Sequence, residues 1–166
     1  IGQLHDAAKA GAQFVVSPGL QPKIVEAALV MGMPIYPGCA TPSDVETALG
    51  MGLCTVKFFP AEAAGGVAML KAMSAPYGNM RFIPTGGIDL KNLSSYTALP
   101  QVLACGGSFL VKKVWLANRE YDTITAAARQ AIAAMLHLHM GHIGVIARDM
   151  EDCAQTAQVL SDLLLA

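Results

Sequence analysis

Cys54-Thr55-Val56-Lys57-Phe58-Phe59-Pro60-Ala61-Glu62-Ala63 is the stretch whose reading decides the fold. Cys54–Pro60 reads as a buried strand closed by a proline, with a lysine in its middle. Lysine is rarely buried unless it is paired or functional. Strand alternation puts Thr55, Lys57 and Phe59 on one face and Cys54, Val56 and Phe58 on the other. The same letters also fit a lysine at a strand edge, its stem lying on apolar surface and its amine in water. The flanking sequence has to separate the two.

Outward from this strand, helix-like and strand-like segments alternate. Before it come a helix over Gly2–Ala12, a strand over Gln13–Ser17 stopped by Pro18-Gly19, a helix over Lys23–Gly32 and a strand over Pro34–Pro37. Thr41 is placed to cap a helix that starts at Pro42 and ends near Gly50. After the lysine strand come a helix over Gly65–Met73, a strand over Arg81–Pro84, and a helix over Leu93–Leu99 capped by Asp89 or Asn92. A strand over Val102–Cys105 and a long amphipathic helix over Tyr121–Leu136 follow. Such alternation predicts an α/β fold with a parallel sheet and helical crossovers. A doubly wound sheet and a closed barrel both satisfy it. In either, the loops after the strand carboxyl ends carry the chemistry. Pro18, Pro37-Gly38, Pro60-Ala61-Glu62, Thr85-Gly86-Gly87 and Gly106-Gly107-Ser108 all fall there.

The composition fits a single packed domain: 166 residues, 54% hydrophobic and 14% charged, enough apolar matter for a substantial core. A net charge of −1 with no basic run argues against nucleic acid as a partner. No apolar run is long enough to span a bilayer, so no membrane role is expected and a cytoplasmic location is. The cysteines Cys39, Cys54, Cys105 and Cys153 are widely spaced, which suits reduced thiols better than disulfides or metal ligands. His137, His139 and His142 cluster without an established ligand spacing, so neither a metal nor another cofactor is expected.

A desolvated lysine loses basicity, because burial disfavours its charged form. The neutral amine is a nucleophile toward ketones and forms a Schiff base, an electron sink for carbon–carbon cleavage. Phe59 can keep water away from it, although plain core packing accounts for Phe59 as well. Glycines let backbone N–H groups approach an anion, and in eight-stranded barrels the loops after the last two strands often hold phosphate. Gly86, Gly87, Gly106 and Gly107, with the Ser108 hydroxyl, suit that use, and Thr85 suits a carboxylate or phosphate oxygen; tight turns without a ligand are the alternative. Glu62 reads as a solvated loop carboxylate or helix cap rather than an acid–base group.

Phe14–Gly19 (Phe-Val-Val-Ser-Pro-Gly), Val56–Glu62 (Val-Lys-Phe-Phe-Pro-Ala-Glu), Phe82–Ile88 (Phe-Ile-Pro-Thr-Gly-Gly-Ile) and Gly106–Ser108 together resemble the 2-keto-3-deoxy-6-phosphogluconate aldolase family, in the family's order, over about Leu4 to Met135. The resemblance implies a homotrimeric (β/α)8 barrel and a class I aldolase. Such an enzyme cleaves its phosphorylated keto acid to pyruvate and glyceraldehyde 3-phosphate, and many members also cleave 4-hydroxy-2-oxoglutarate to pyruvate and glyoxylate. By motif, Lys57 matches the Schiff-base lysine. Pro18 matches a proline that lines the pyruvate pocket and Thr85 a threonine near the pyruvyl carboxylate, and Phe59 is kept beside them as a candidate substrate-binding residue. Gly86, Gly87, Gly106, Gly107 and Ser108 match the phosphate loops.

The resemblance also implies that residues 1–136 are about the last five units of a partial barrel. The first three βα units, with the family's general-base glutamate and a substrate-binding arginine, are missing from this stretch. Residues 137–166 read as one extra C-terminal βα unit, a strand at His142–Ala147 and a helix at Met150–Leu165. That unit is either the start of an appended domain or a permuted first unit of the barrel, and its strand is expected beside Val102–Cys105. A phosphate-binding partial barrel without turnover and an inactive structural fragment are the competing functional readings.

Overall fold

The computed structural model describes residues 1–136 together with the helical residues Glu151, Ala154, Gln155 and Gln158. The expected strand at His142–Ala147 with its pairing, the three clustered histidines and most of the expected last helix lie outside the described residues. No helix among the described residues is long and apolar enough to cross a membrane.

The chain alternates as the sequence predicts: α1 (Gly2–Lys9), β1 (Val15–Val16), α2 (Pro22–Val30), β2 (Ile35–Tyr36), β3 (Gly38–Cys39), α3 (Pro42–Gly50), β4 (Thr55–Phe58), α4 (Gly66–Ser74), β5 (Arg81–Pro84) and α5 (Leu93–Thr97). A short 3-10 turn at Ser108–Leu110, α6 (Lys113–Ala117) and α7 (Tyr121–Met135) complete it. Local chemistry sets several boundaries. The Thr41 hydroxyl accepts from the Asp44 N–H while the Asp44 carboxylate accepts from the Thr41 N–H, a full capping box with Pro42 in the first turn. Asn92 precedes α5 but does not cap it. Its amide oxygen accepts from the Asp89 N–H and its amide nitrogen donates to the Gly87 carbonyl.

All strand pairs among the described residues are parallel. β1 pairs with β2, and β3–β4–β5 form a second ladder. β2 and β3 are one extended run interrupted at Pro37, which has no N–H to give, and the Lys57 N–H donates to the Pro37 carbonyl. Gly38-Cys39, which sequence reading leaves as a turn, is thus strand paired to Lys57 and Phe58.

The expected strand over Val102–Cys105 is a correction. Only two isolated bridges form there, Phe82 with Val102 and Thr85 with Gly106. Three steps along one segment, 82 to 85, oppose four along the other, 102 to 106. The extra residue bulges and breaks the ladder. The helix α6 was not anticipated either; its short run Lys113–Ala117 carries no helix-length apolar period.

The core lies between the helices and one face of the sheet. Val56 and Phe58 from β4, Phe82 and Pro84 from β5, Val25 and Ala28 from α2, Val45 and Ala48 from α3, and Leu93 and Tyr96 from α5 are all buried. Phe58 and Phe82 have no exposed surface, and burying such a side chain contributes about 1.5–3 kcal/mol. Thr55, Lys57 and Ile83 point the other way and stay half-buried, so the face carrying the lysine is the more open of the two.

Candidate active site

Lys57 stands in the middle of β4, its backbone fixed on both sides by register: Gly38 on one neighbour, Ile83 on the other. The side chain leaves the core face, because Val56 and Phe58 take that face. Its Nζ lies 4.2 Å from the centroid of the Phe59 ring, so the two residues share a face as alternation predicts. Burial lowers the Lys57 pKa from its ordinary 10.5. The ring's π face favours the cation and opposes that effect. No carboxylate lies within ion-pair distance of the amine among the described residues, and no neighbouring charge contributes to the shift. A half-buried amine without a countercharge can act as a nucleophile once it has lost its proton.

Pro18 follows β1 in a turn held by the Ser17 hydroxyl, which donates to the Gly19 carbonyl at 2.9 Å. The Pro18 carbonyl occupies the space that a side chain on Gly38 would need. Since Gly38 is the register partner of Lys57, the turn is brought over the lysine's own face. Pro18 also lines a cleft of about 490 Å³ with Ile1, Leu4, Val15 and Ile24, and Lys57 is not among its walls.

Thr85 extends β5 by one residue past Pro84. Its N–H donates to the Phe58 carbonyl and its carbonyl accepts from the Ala61 N–H at 2.8 Å. It lies two residues beyond Ile83, hence on the lysine's face. Its hydroxyl makes a 3.4 Å bond to the Ile83 carbonyl, and its side chain fills the space over Gly106.

The glycines turn out to have packing partners. A Cβ on Gly106 would meet Thr85 Oγ1 at 2.7 Å, one on Gly87 would meet Glu62 Cγ at 2.6 Å, and one on Gly107 would meet the Phe109 ring at 2.5 Å. Gly86 and Gly87 also sit at φ of +100° and +80°, where a side chain is strained. These residues are therefore required by the fold itself. Their N–H groups divide: Gly106 donates to the Pro84 carbonyl, whereas Gly87 and Gly107 have no partner among the described residues. The Ser108 hydroxyl is exposed and likewise unpartnered there.

Glu62 is neither a helix cap nor a free loop carboxylate. Its Oε1 accepts a hydrogen bond from the hydroxyl of Tyr96, which is fully buried. Burial first, then that bond and the Glu62 charge, raise the Tyr96 pKa above its ordinary value. Sequence reasoning missed Tyr96 and Gly38. Tyr96 was visible only as the residue three after Leu93 on a helix face, and Gly38 only as half of a Pro-Gly pair. No cluster of His, Cys, Asp and Glu able to hold a metal occurs among the described residues.

Comparison with known proteins places the chain in a family. A family model described as KDPG and KHG aldolase matches residues 1–127. The 2-dehydro-3-deoxy-phosphogluconate aldolase of Treponema pallidum is 48% identical over 132 residues, which cover 80% of this chain and 63% of that protein. The KHG/KDPG aldolase of Escherichia coli (strain K12) is 45% identical over 130 residues, covering 78% of this chain and 61% of that protein. Among solved structures, the KDPG aldolase of Legionella pneumophila, with pyruvate captured at low pH as a covalent carbinolamine intermediate, superposes with a TM-score of 0.75 at 41% identity. It covers 80% of this chain and 63% of that one. The chain spans about three fifths of the length of the relatives it matches.

Proposed function

Because this chain belongs to the KDPG and KHG aldolase family, we propose that the protein it represents is a class I aldolase. Its substrate is 2-keto-3-deoxy-6-phosphogluconate, cleaved to pyruvate and glyceraldehyde 3-phosphate, with 4-hydroxy-2-oxoglutarate as a second substrate giving pyruvate and glyoxylate. The observation that carries the reading is Lys57: half-buried, lowered in pKa by that burial, without a countercharge, and roofed by Phe59.

The chemistry balances around that amine. Neutral Nζ attacks C2 of the keto acid and the carbonyl electrons move to oxygen, giving a carbinolamine. Loss of water gives the protonated imine. The C3–C4 bond then breaks, its electrons pass into the imine to form an enamine, and the C4 hydroxyl loses its proton to a base as the aldehyde leaves. Protonation at C3 and hydrolysis release pyruvate and restore the amine. The proton acceptor is not a partner of Lys57 among the described residues, and a positioned base contributes roughly 10²–10⁴-fold in rate.

Pro18 and Phe59 form the wall of the pyruvate pocket and Thr85 receives the carboxylate. Gly86, Gly87, Gly106, Gly107 and Ser108 face the phosphate, Gly87 and Gly107 with N–H groups and Ser108 with its hydroxyl. Gly106 shapes that loop rather than donating, since its N–H already serves Pro84. The strictly sequential parallel order, from β1 through β5 to the Val102 and Gly106 bridges, supports a partial (β/α)8 barrel over residues 1–136. A doubly wound sheet would reverse its order at a switch point. Residues 137–166 are a separate added unit in this reading, and the protein is a cytoplasmic homo-oligomer without cofactor. Exposed apolar residues, among them Val16 and Leu103, are consistent with self-association.

Borohydride reduction in the presence of pyruvate tests the proposal. A stable adduct mapped to Lys57 by peptide mass is expected; no adduct on Lys57 sinks it. The unpartnered N–H groups of Gly87 and Gly107 favour one second reading, anion binding without turnover. Saturable binding of inorganic phosphate with no pyruvate adduct would establish that instead.

A further inference from the structure

The loop after β4 and the loop after β5 are locked together. The Ala61 and Glu62 N–H groups donate to the Thr85 and Gly86 carbonyls at 2.8 and 3.0 Å. The Glu62 side chain then crosses directly over Gly87, where its Cβ and Cγ fill the volume a Gly87 side chain would take. Beyond Gly87 the carboxylate meets the buried Tyr96 hydroxyl. From the other side, the Asn92 amide holds the Gly87 carbonyl at 2.9 Å. Glu62 is exposed, yet its carboxylate is drawn toward the α5 helix and contributes nothing to the pKa shift of Lys57, while it does contribute to that of Tyr96. That arrangement suits a brace, not an acid–base group.

Resting on the aldolase reading above, we propose that Glu62 and Tyr96 are a positioning pair. They hold the Gly86-Gly87 loop at a fixed height beside the Phe59-Pro60 loop, and so set affinity for the phosphorylated end of the substrate without taking part in imine formation at Lys57. Tyr96 suits the task because its hydroxyl, buried and raised in pKa, stays a donor throughout the neutral range. Glu62 suits it because the aliphatic part packs on the bare Cα of Gly87 while the carboxylate reaches the hydroxyl.

The test compares Tyr96→Phe, which removes the donor and keeps the ring, with Glu62→Ala and Glu62→Gln. Two readouts are taken on each protein: KM and kcat for the phosphorylated keto acid, and the rate of borohydride trapping of pyruvate, which has no phosphate. Tyr96→Phe and Glu62→Ala should raise KM by roughly tenfold, the scale of one lost hydrogen bond to a charged group. Pyruvate trapping should stay within twofold. Glu62→Gln keeps an oxygen acceptor for Tyr96 and should restore KM to within twofold of wild type. If wild-type protein traps pyruvate but Tyr96→Phe and Glu62→Ala leave KM unchanged, or depress trapping in step with KM, the pairing role is overturned and the aldolase reading stands. If wild-type protein traps no pyruvate, the aldolase reading fails and takes the pair's role with it.

Discussion

The Pro18 carbonyl and the missing side chain of Gly38 claim the same space. The turn after β1 can lie across β3 only because residue 38 is glycine, and β3 is the register neighbour of the lysine. The shape of the lysine's surroundings is therefore written partly in a residue with no side chain.

Gly38→Ala should accordingly be severe. The new methyl meets backbone, which cannot rotate away, so the turn or the strand must shift. Overpacking of this kind costs about 1–3 kcal/mol. Gly19, with open space around it, is the control and should change stability by less than about 0.5 kcal/mol as Gly19→Ala. Urea denaturation of both variants measures the difference, and equal midpoints would contradict the packing argument.

Lys57 predicts a pH signature in stability as well as in reactivity. Its folded-state pKa lies below the unfolded value near 10.5. Below the folded pKa the amine is charged in both states and the fold carries the full burial penalty. As pH rises through the folded value toward the unfolded one, the penalty disappears and the native state gains stability. Lys57→Met lacks this group, so wild type should gain on the variant across that window and not below it. Paired denaturation curves at stepped pH read this directly. Pyruvate trapping should rise through the same folded-state pKa and be lost in Lys57→Met.

Gly87 and Glu62 should be energetically coupled. Gly87→Ala introduces a Cβ 2.6 Å from Glu62 Cγ and forces a side chain into a backbone at φ of +80°. The backbone part, about 1–2 kcal/mol, persists whatever residue 62 is. The steric part does not. In a Glu62→Gly background, which lacks both the Cβ and the Cγ that the new methyl meets, the Gly87→Ala change should cost less, by an interaction energy on the order of 0.5–3 kcal/mol in a double-mutant cycle. Additive costs would show that the contact carries no weight.

The thiols should separate by burial. Cys39 is 1% exposed and its thiol is pushed up to about 12, by burial first and by the Asp44 charge second. Cys105 is half-buried and pushed up to about 11 by burial. Cys54 is exposed. The thiolate is the reactive form, so alkylation near neutral pH should label Cys54 well before Cys105, and Cys39 only on unfolding. Peptide mapping over time settles the order.

Sequence legibility followed the range of the interaction involved. The α3 boundary was readable because Thr41 and Asp44 satisfy each other within three residues. The facing of Lys57 was readable because alternation along one strand is local, and the Phe59 contact confirms it. The glycine-rich loops are visible in the sequence but only half legible there. Their spacing suggested an anion site, while the volumes over Gly87, Gly106 and Gly107 are filled by Glu62, Thr85 and Phe109. Such contacts depend on how neighbouring strands line up, which no single segment encodes. For the same reason the Tyr96 bond to Glu62, spanning 34 residues, left no local trace.

The bulge between the Val102 and Gly106 bridges leaves the chain a freedom of a different kind: one of length rather than of letters. The segment 102–106 takes four steps where its neighbour 82–85 takes three, and that surplus delivers Gly106 opposite Thr85. Leu103, Ala104 and Cys105 can change identity at modest cost, since none of them is fully buried. Removing any one of them would leave three steps against three, so the bulge would close into a regular ladder with Gly106 still opposite Thr85. A single deletion there should thus leave phosphate binding intact in titrations, as substitutions at the same three positions should, so the surplus residue is one this part of the molecule can spare.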